Sequence, residues 1–263
     1  MAKHHQLTSI VLQDPKIVKK TKLLTVTDVN IINKEIMNSI YDTLMELPLL
    51  KGCSRYKLSE IVGTTKFHFL KYLAGETIVS AGSPCSHVIF ILSGKVRVSV
   101  SNANDRFRVS STLEAPNVIS PEFLFGKATH FPGTVTAIDS VSVLQISKSD
   151  YIKILNSDET FLFNALNMLS VKAQNSVDGI LAITSGKLAE RIAYWVMSLT
   201  QQGSTEIVLT ARQRDLYALF GVQRSSFFAT LDEMKEQGLI EYDSTEIRFS
   251  SRQGLLDILE TEG

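Results

Sequence analysis

The stretch Thr210–Ile240, TARQRDLYALFGVQRSSFFATLDEMKEQGLI, decides how this chain is read. It divides into two short amphipathic helices around a turn. Leu216, Leu219 and Phe220 share a face of the first at helical spacing, and Gly221 ends it, where a residue free to take positive φ is favoured. The second starts near Gln223–Arg224 and runs to about Gln237, with Phe227, Leu231 and Met234 at the i, i+4, i+7 steps of a buried stripe. Arg224, Ser225, Ser226 and Ala229 are left on the outward side of its first turns. A helix that shows an Arg and hydroxyls at its start, braced by a shorter helix, suits reading of a DNA major groove. The same pattern also fits an ordinary αα-hairpin, so the flanking chain has to arbitrate.

Downstream, Leu239–Tyr242 and Ile247–Phe249 read as a β-hairpin around Asp243–Ser244, the place of a wing, and residues 253–260 close with a small helix. Upstream, Glu206–Leu209 reads as a strand. A helix from Lys187 to about Thr200 precedes it, with Leu188, Ile192, Trp195, Val196 and Leu199 apolar. Before Ser185–Gly186 lies a long helix from about Asp158 to Thr184. Its Phe161, Leu162, Ala165, Met168, Leu169, Ala173, Val177, Ile180 and Leu181 recur at three- and four-residue steps. An apolar seam between two modules is a natural dimerisation element; packing on a barrel of its own chain is the alternative.

Between Lys66 and Ser147 the period is two. KFHFLKYL, GETIVSAG, SHVIFILSG, KVRVSVSN, RFRVSSTL, TVTAID and VSVLQIS are short β-rich segments punctuated by glycine, proline and asparagine, which predicts an antiparallel barrel or jelly roll. A short helix around Ser149–Leu155 leaves it. Ahead of the barrel, Ile32, Ile36, Ile40, Leu44 and Leu47 predict a helix stopped by Pro48, and Arg55–Val62 a second. Residues 1–30, with Lys16, Lys19, Lys20 and Lys22, read as a solvated extension.

Twenty-seven basic and 27 acidic residues balance, so no global field announces a nucleic-acid partner, and a DNA reader of this composition depends on a local basic patch. Between Thr210 and Leu231 three arginines face one acid, Asp215, while Asp232, Glu233 and Glu236 make the far end of the second helix acidic. The predicted consequence is weak non-specific affinity. The two cysteines, Cys53 and Cys85, form no CxxC, which excludes a four-cysteine metal or iron–sulfur site within one chain and suits a reducing compartment. The first thirty residues hold no signal-peptide core, and runs such as Val88–Leu92 are too short to cross a bilayer. The expectation is a cytoplasmic protein without membrane contact, cofactor or metal.

This order of parts resembles the CRP/FNR family of bacterial transcription regulators from about residue 45 to 260. LPLLKGCSRYKLSEI, KYLAGETIVSAGSPCSHVIFILSGKVRVSV, VLQISKSDY, KLAERIAYWVM and LTARQRDLYALFGVQRSSFFATLDEMKEQGLIE carry the resemblance. It implies an α+β chain: an N-terminal extension at 1–30, a cyclic-nucleotide-binding-like jelly-roll effector domain at 31–157, a dimerisation helix at 158–184 and a winged helix-turn-helix at 185–263. It further implies a homodimer on a near-palindromic double-stranded operator, with RNA polymerase as a partner.

Aligned on Gly221, the family's base-reading arginine falls on Arg224, its acidic neighbour on Ser225 and its later basic residue on Ala229. Arginine can donate two hydrogen bonds to guanine, so Arg224 is the leading base reader, while Ser225 discriminates little and Ala229 offers a methyl. Arg212, Arg214, Gln223 and Ser226 are the phosphate candidates. In relatives that bind cyclic nucleotides, a Gly-Glu pair holds the ribose and an arginine the phosphate. Here Glu122 matches the acid, Pro121 replaces the glycine, and Phe131, beside His130, occupies the arginine position. No arginine lies between Arg108 and Arg191, which argues against cyclic AMP. Glu122, Phe131 and Thr134 remain candidates to line a pocket for another small effector. Two other classes compete: a sensor acting through protein partners with a degenerate helix-turn-helix, and a cupin-type enzyme. His68, His87 and His130 supply no HxH pair for the latter.

Overall fold

The computed structural model describes residues 41–260 except 103 and 185. The expectations for residues 1–30 and for the start of the first helix lie outside them; residues 41–46 are helical, and Pro48 sits in the turn that follows. Helix α1 (Arg55–Thr64) starts at Ser54, whose hydroxyl accepts a hydrogen bond from Lys57 N at 3.2 Å.

The predicted strands form as β1 (Phe67–Tyr72), β2 (Thr77–Val79), β3 (His87–Ser93), β4 (Lys95–Ser101), β5 (Phe107–Glu114), β7 (Gly133–Ala137) and β8 (Val141–Ser147). One strand was not anticipated: β6 (Asn117–Ile119) is too short for alternation to register. The order β1-β8-β3-β6 makes one sheet of the jelly roll, and β5-β4-β7-β2 makes the facing sheet. Phe90, Val96, Leu113, Val135, Val143 and Leu144 belong to the buried core of this module. Along β3 four consecutive residues, Val88–Ile91, are buried because α2 (Lys148–Ser157) covers that sheet from outside.

Helix α3 (Glu159–Thr184) is about 39 Å long. Its apolar residues do not form one seam. Phe161 and Ala165 enter the barrel core, whereas Leu162, Phe163, Leu166, Val177, Ile180 and Leu181 are exposed. Neighbours in a helix point about 100° apart, so a wide apolar band serves two faces at once. Asn164 ties the helix to the turn before α1, donating to Leu49 O at 3.0 Å and Lys51 O at 2.8 Å. Further along, α4 (Leu188–Ser198) folds back on α3. Gly179 allows their close approach: a Cβ there would stand 3.1 Å from Ser198 Cβ.

After α4 come β9 (Thr205–Ala211), α5 (Gln213–Leu219), α6 (Arg224–Glu236), β10 (Ile240–Tyr242), β11 (Glu246–Ser251) and α7 (Arg252–Glu260), with their own core of Ile192, Val196, Ile207, Leu209, Phe227 and Leu231 among others. The sequence pattern carried no hint of how the two modules join. β5, at the edge of the barrel sheet, pairs with β9 in the register Phe107↔Ala211, Val109↔Leu209 and Ser110↔Val208, so a seven-stranded sheet runs from the barrel to the wing. An edge strand presents unpaired N–H and C=O groups, and β9 satisfies them here. The polar residues buried at the joint are partnered: Thr112 Oγ1 donates to Glu206 Oε2 at 2.8 Å, and Ser204 Oγ donates to Ser111 Oγ at 3.2 Å. Val109 of the barrel strand belongs to the C-terminal core.

Candidate DNA interface and an adjoining cavity

In the helix pair the turn follows Phe220. Gly221 adopts φ +66°, Gly221 N donates to Ala218 O at 3.2 Å and Val222 N to Tyr217 O at 3.0 Å. Leu216 and Phe220 are buried, but Leu219 is 42% exposed, which corrects its assignment to the apolar face. Three residues round a helix leaves it about 60° off the stripe that the four-residue step Leu216–Phe220 defines. The carbonyl of Phe220 accepts a hydrogen bond from the Arg191 guanidinium, which anchors the turn to α4.

Helix α6 is held by Phe227, Leu231 and Met234, each at most 2% exposed, and by the edge contact of Tyr217 with Phe227 at 6.2 Å. Leu231→Ala should therefore cost about 2–5 kcal/mol. The check is the urea midpoint of the C-terminal transition.

Its N-terminal residue Gln223 makes no side-chain cap bond. The first-turn N–H groups therefore face outward, where a phosphate can accept from them. Arg224, Ser225, Ser226 and Ala229 are exposed on the first two turns, and Arg212 and Arg214 are exposed at the start of α5.

Phe228 is a residue the sequence reading passed over. The Arg224 guanidinium lies over its ring, 5.5 Å from the centroid, and the ring leans on Tyr242 at 6.4 Å. The four-residue step from Arg224 to Phe228 was the available signal.

The wing is acidic. Asp243 accepts from Thr245 N at 2.8 Å and Glu246 N at 2.9 Å, bonds that hold its carboxyl below the usual range. Asp232 at the far end of α6 accepts from the Tyr242 hydroxyl, and this bond raises the pKa of the phenol.

The effector candidates do not converge. Phe131 is buried against a cavity of about 380 Å³ that Ile78, Ile89 and Gln145 also line. Thr134 Oγ1 accepts from Ala81 N at 3.2 Å. Glu122, in a single 3₁₀ turn (Pro121–Phe123), lines a different cavity of about 370 Å³ at the junction of the barrel, α3 and the end of α4. There Lys172 of α3 stands 3.7 Å from the Glu122 carboxylate.

The cysteines are buried. Burial, then the charge of Asp158 for Cys53 and of Glu122 for Cys85, pushes each thiol up to about 11, so neither is a thiolate at neutral pH. Among the described residues no three His, Cys, Asp or Glu side chains come together as a metal group, and no helix is long and apolar enough to cross a membrane.

The family model described as the cyclic nucleotide-binding domain matches residues 69–158, and that of the Crp-like helix-turn-helix domain matches residues 190–258. Regulatory protein YeiL of Escherichia coli O157:H7 is 29% identical over 147 residues, covering 56% of this chain and 65% of YeiL, just under two thirds of that relative. The cAMP-activated global transcriptional regulator CRP of Haemophilus influenzae is 21% identical over 183 residues, covering 67% of this chain and 81% of that one. The solved catabolite activator protein of Thermus thermophilus superposes with a TM-score of 0.48 at 18% identity, over 82% of this chain and 100% of that one.

Proposed function

Since the chain belongs to the CRP/FNR family of transcription regulators, we propose that it binds a near-palindromic operator as a homodimer and answers to a signal other than cyclic AMP. The observation that carries the DNA reading is the start of α6, where Arg224 stands exposed on a helix locked by Phe227, Leu231 and Met234. In this reading Arg224 contacts a guanine edge, Ser225 and Ala229 lie over neighbouring bases, and Arg212, Arg214, Gln223 and Ser226 hold phosphates. Ser225 and Ala229 stand where the family has charged readers, so the half-site differs from the family's usual one.

The functional units are 31–157 as effector domain, 158–184 as dimer helix and 185–263 as DNA-binding domain, after a 1–30 extension. Separate apolar cores in the first and last support that division. Pairing runs along α3, where Leu162, Leu166, Val177, Ile180 and Leu181 stand exposed within about 100° of one another round the helix. A dimer with its axis along α3 sets two α6 helices one DNA turn apart. The protein acts in the cytoplasm, with RNA polymerase as its further partner.

The signal enters at the barrel and reaches α6 through α3 and the joint with the C-terminal module. Phe107 of β5 meets Trp195 edge-on at 5.7 Å, and Trp195 meets Phe220 at 5.8 Å, a line of rings from barrel to turn.

Electrophoretic shift of the chain's own upstream DNA by wild type and Arg224→Ala tests the regulator reading. Retardation lost in the variant supports it, and no retardation with any upstream fragment contradicts it in favour of a sensor with a degenerate helix-turn-helix. Cyclic AMP should give no micromolar binding isotherm in calorimetry, because the cavity beside Glu122 holds lysine and no arginine. A micromolar isotherm overturns that part.

A further inference from the structure

The cavity beside α3 carries more chemistry than the DNA reading uses. Val98, Val100, Phe123 and Pro132 on the barrel side and Leu169 and Ala173 of α3 give it apolar walls. Set in those walls is a single facing pair of charges, Glu122 and Lys172, 3.7 Å apart with side chains 21% and 29% exposed. Lys172 Nζ also donates to Thr200 O at 3.4 Å.

The next residue, Gln201, lines the same cavity. Its amide nitrogen donates to Val118 O at 3.4 Å, and its Oε1 is the buried side-chain acceptor left without a hydrogen-bond partner among the described residues. A buried orphan acceptor costs stability unless something donates to it.

Charge balance selects the occupant. An anion placed here leaves a net negative charge with one cation for two acids, and a cation leaves a net positive one; both are costly in an apolar cavity. Any neutral molecule leaves the balance intact, but only one that carries both charges also pairs with each member of the Glu122–Lys172 pair it parts. It enters by parting an ion pair that is already long.

We propose that this cavity binds a zwitterionic α-amino acid with an apolar side chain. Its carboxylate pairs with Lys172, its ammonium donates to Glu122, and its side chain lies between Val100 and Leu169. A volume of about 370 Å³ is at the small-ligand end of the usual range for binding pockets. The occupant touches the barrel, α3 and the residues that follow α4 together. This deepens, and rests on, the reading of the chain as a regulator that answers to a signal other than cyclic AMP.

The test is isothermal titration calorimetry of the full chain with L-leucine, L-methionine and L-phenylalanine, alongside 3-methylbutylamine and 4-methylpentanoate, which each keep one of leucine's two charges. At least one amino acid is expected to bind at one site per chain, with both single-charge analogues at least ten times weaker. Lys172→Gln and Glu122→Gln should each lose at least tenfold while unfolding within a few degrees of wild type, which separates a lost contact from a lost fold. Absence of heat with all three amino acids at millimolar concentration overturns the proposal, as does equal binding of an analogue or undiminished binding by both variants. Operator retardation is scored separately: a chain that shifts DNA but takes no amino acid loses this inference and keeps the regulator reading, and one that binds leucine but no DNA does the reverse.

Discussion

A chain carrying Leu166→Asp and Ile180→Asp is expected to elute as a monomer and to bind operator DNA about 10²–10⁴-fold more weakly than wild type. Leu166 is 54% and Ile180 67% exposed in the single chain, so the changes leave the barrel core untouched and the monomer should still fold. In a paired seam the same carboxylates would be desolvated against apolar neighbours, at a cost of several kcal/mol for each buried ion. The loss on DNA then follows from avidity: a dimer docks its second half-site at high effective concentration, whereas monomers bind each half-site independently. Light scattering coupled to size exclusion reads the mass, and fluorescence anisotropy reads the affinity. Undiminished dimerisation would place the contact elsewhere than α3.

Arg224→Ala is expected to cost about 1–3 kcal/mol per half-site, and so about 30-fold to 10⁴-fold for the dimer, because the bidentate bond to guanine disappears. Arg224→Lys should recover little, since an ammonium lacks the planar fork. The Phe228 ring under the guanidinium holds that fork in place before DNA arrives, which lowers the ordering cost of binding. The affinity for random DNA should fall far less, and that contrast separates a base reader from a phosphate contact. Equal losses on operator and random DNA would assign Arg224 to phosphate.

Much of this was legible in the residues themselves. The helix pair and its turn followed from Leu216, Gly221 and the Phe227–Leu231–Met234 stripe, because helical period and a positive-φ glycine are local signals. The barrel strands followed from alternation, except where β6 was too short to alternate. Leu219 misled because a seven-residue helix gives too few turns to fix which neighbour of the stripe is buried. The joint between β5 and β9 was invisible because edge pairing is made by backbone, which leaves no side-chain period to read. The cavity was half legible. Glu122 could be found by alignment to a known pattern, but Lys172 and Gln201 lie 50 and 79 residues further along and meet it through packing of α3 and the end of α4. Phe131 and Thr134 came from alignment to the same pattern, but Phe131 lines the other cavity and Thr134 bonds Ala81.

That joint also bears on signalling. With β5 and β9 in one sheet, and with Phe107, Trp195 and Phe220 in contact, the proposed signal would pass from the barrel to the turn before α6 through packed elements. Lys172 sits at the other end of that connection, between Glu122 of the barrel and Thr200 after α4.

The central claim is that two copies of α6 read two half-sites through Arg224. Selection of binding sites from random duplex DNA with purified full-length protein tests it most directly. A two-fold symmetric motif is expected, with half-sites one helical turn apart, each holding a guanine that Arg224→Ala no longer selects. Recovery of no motif, or of an asymmetric one unchanged by Arg224→Ala, would contradict it.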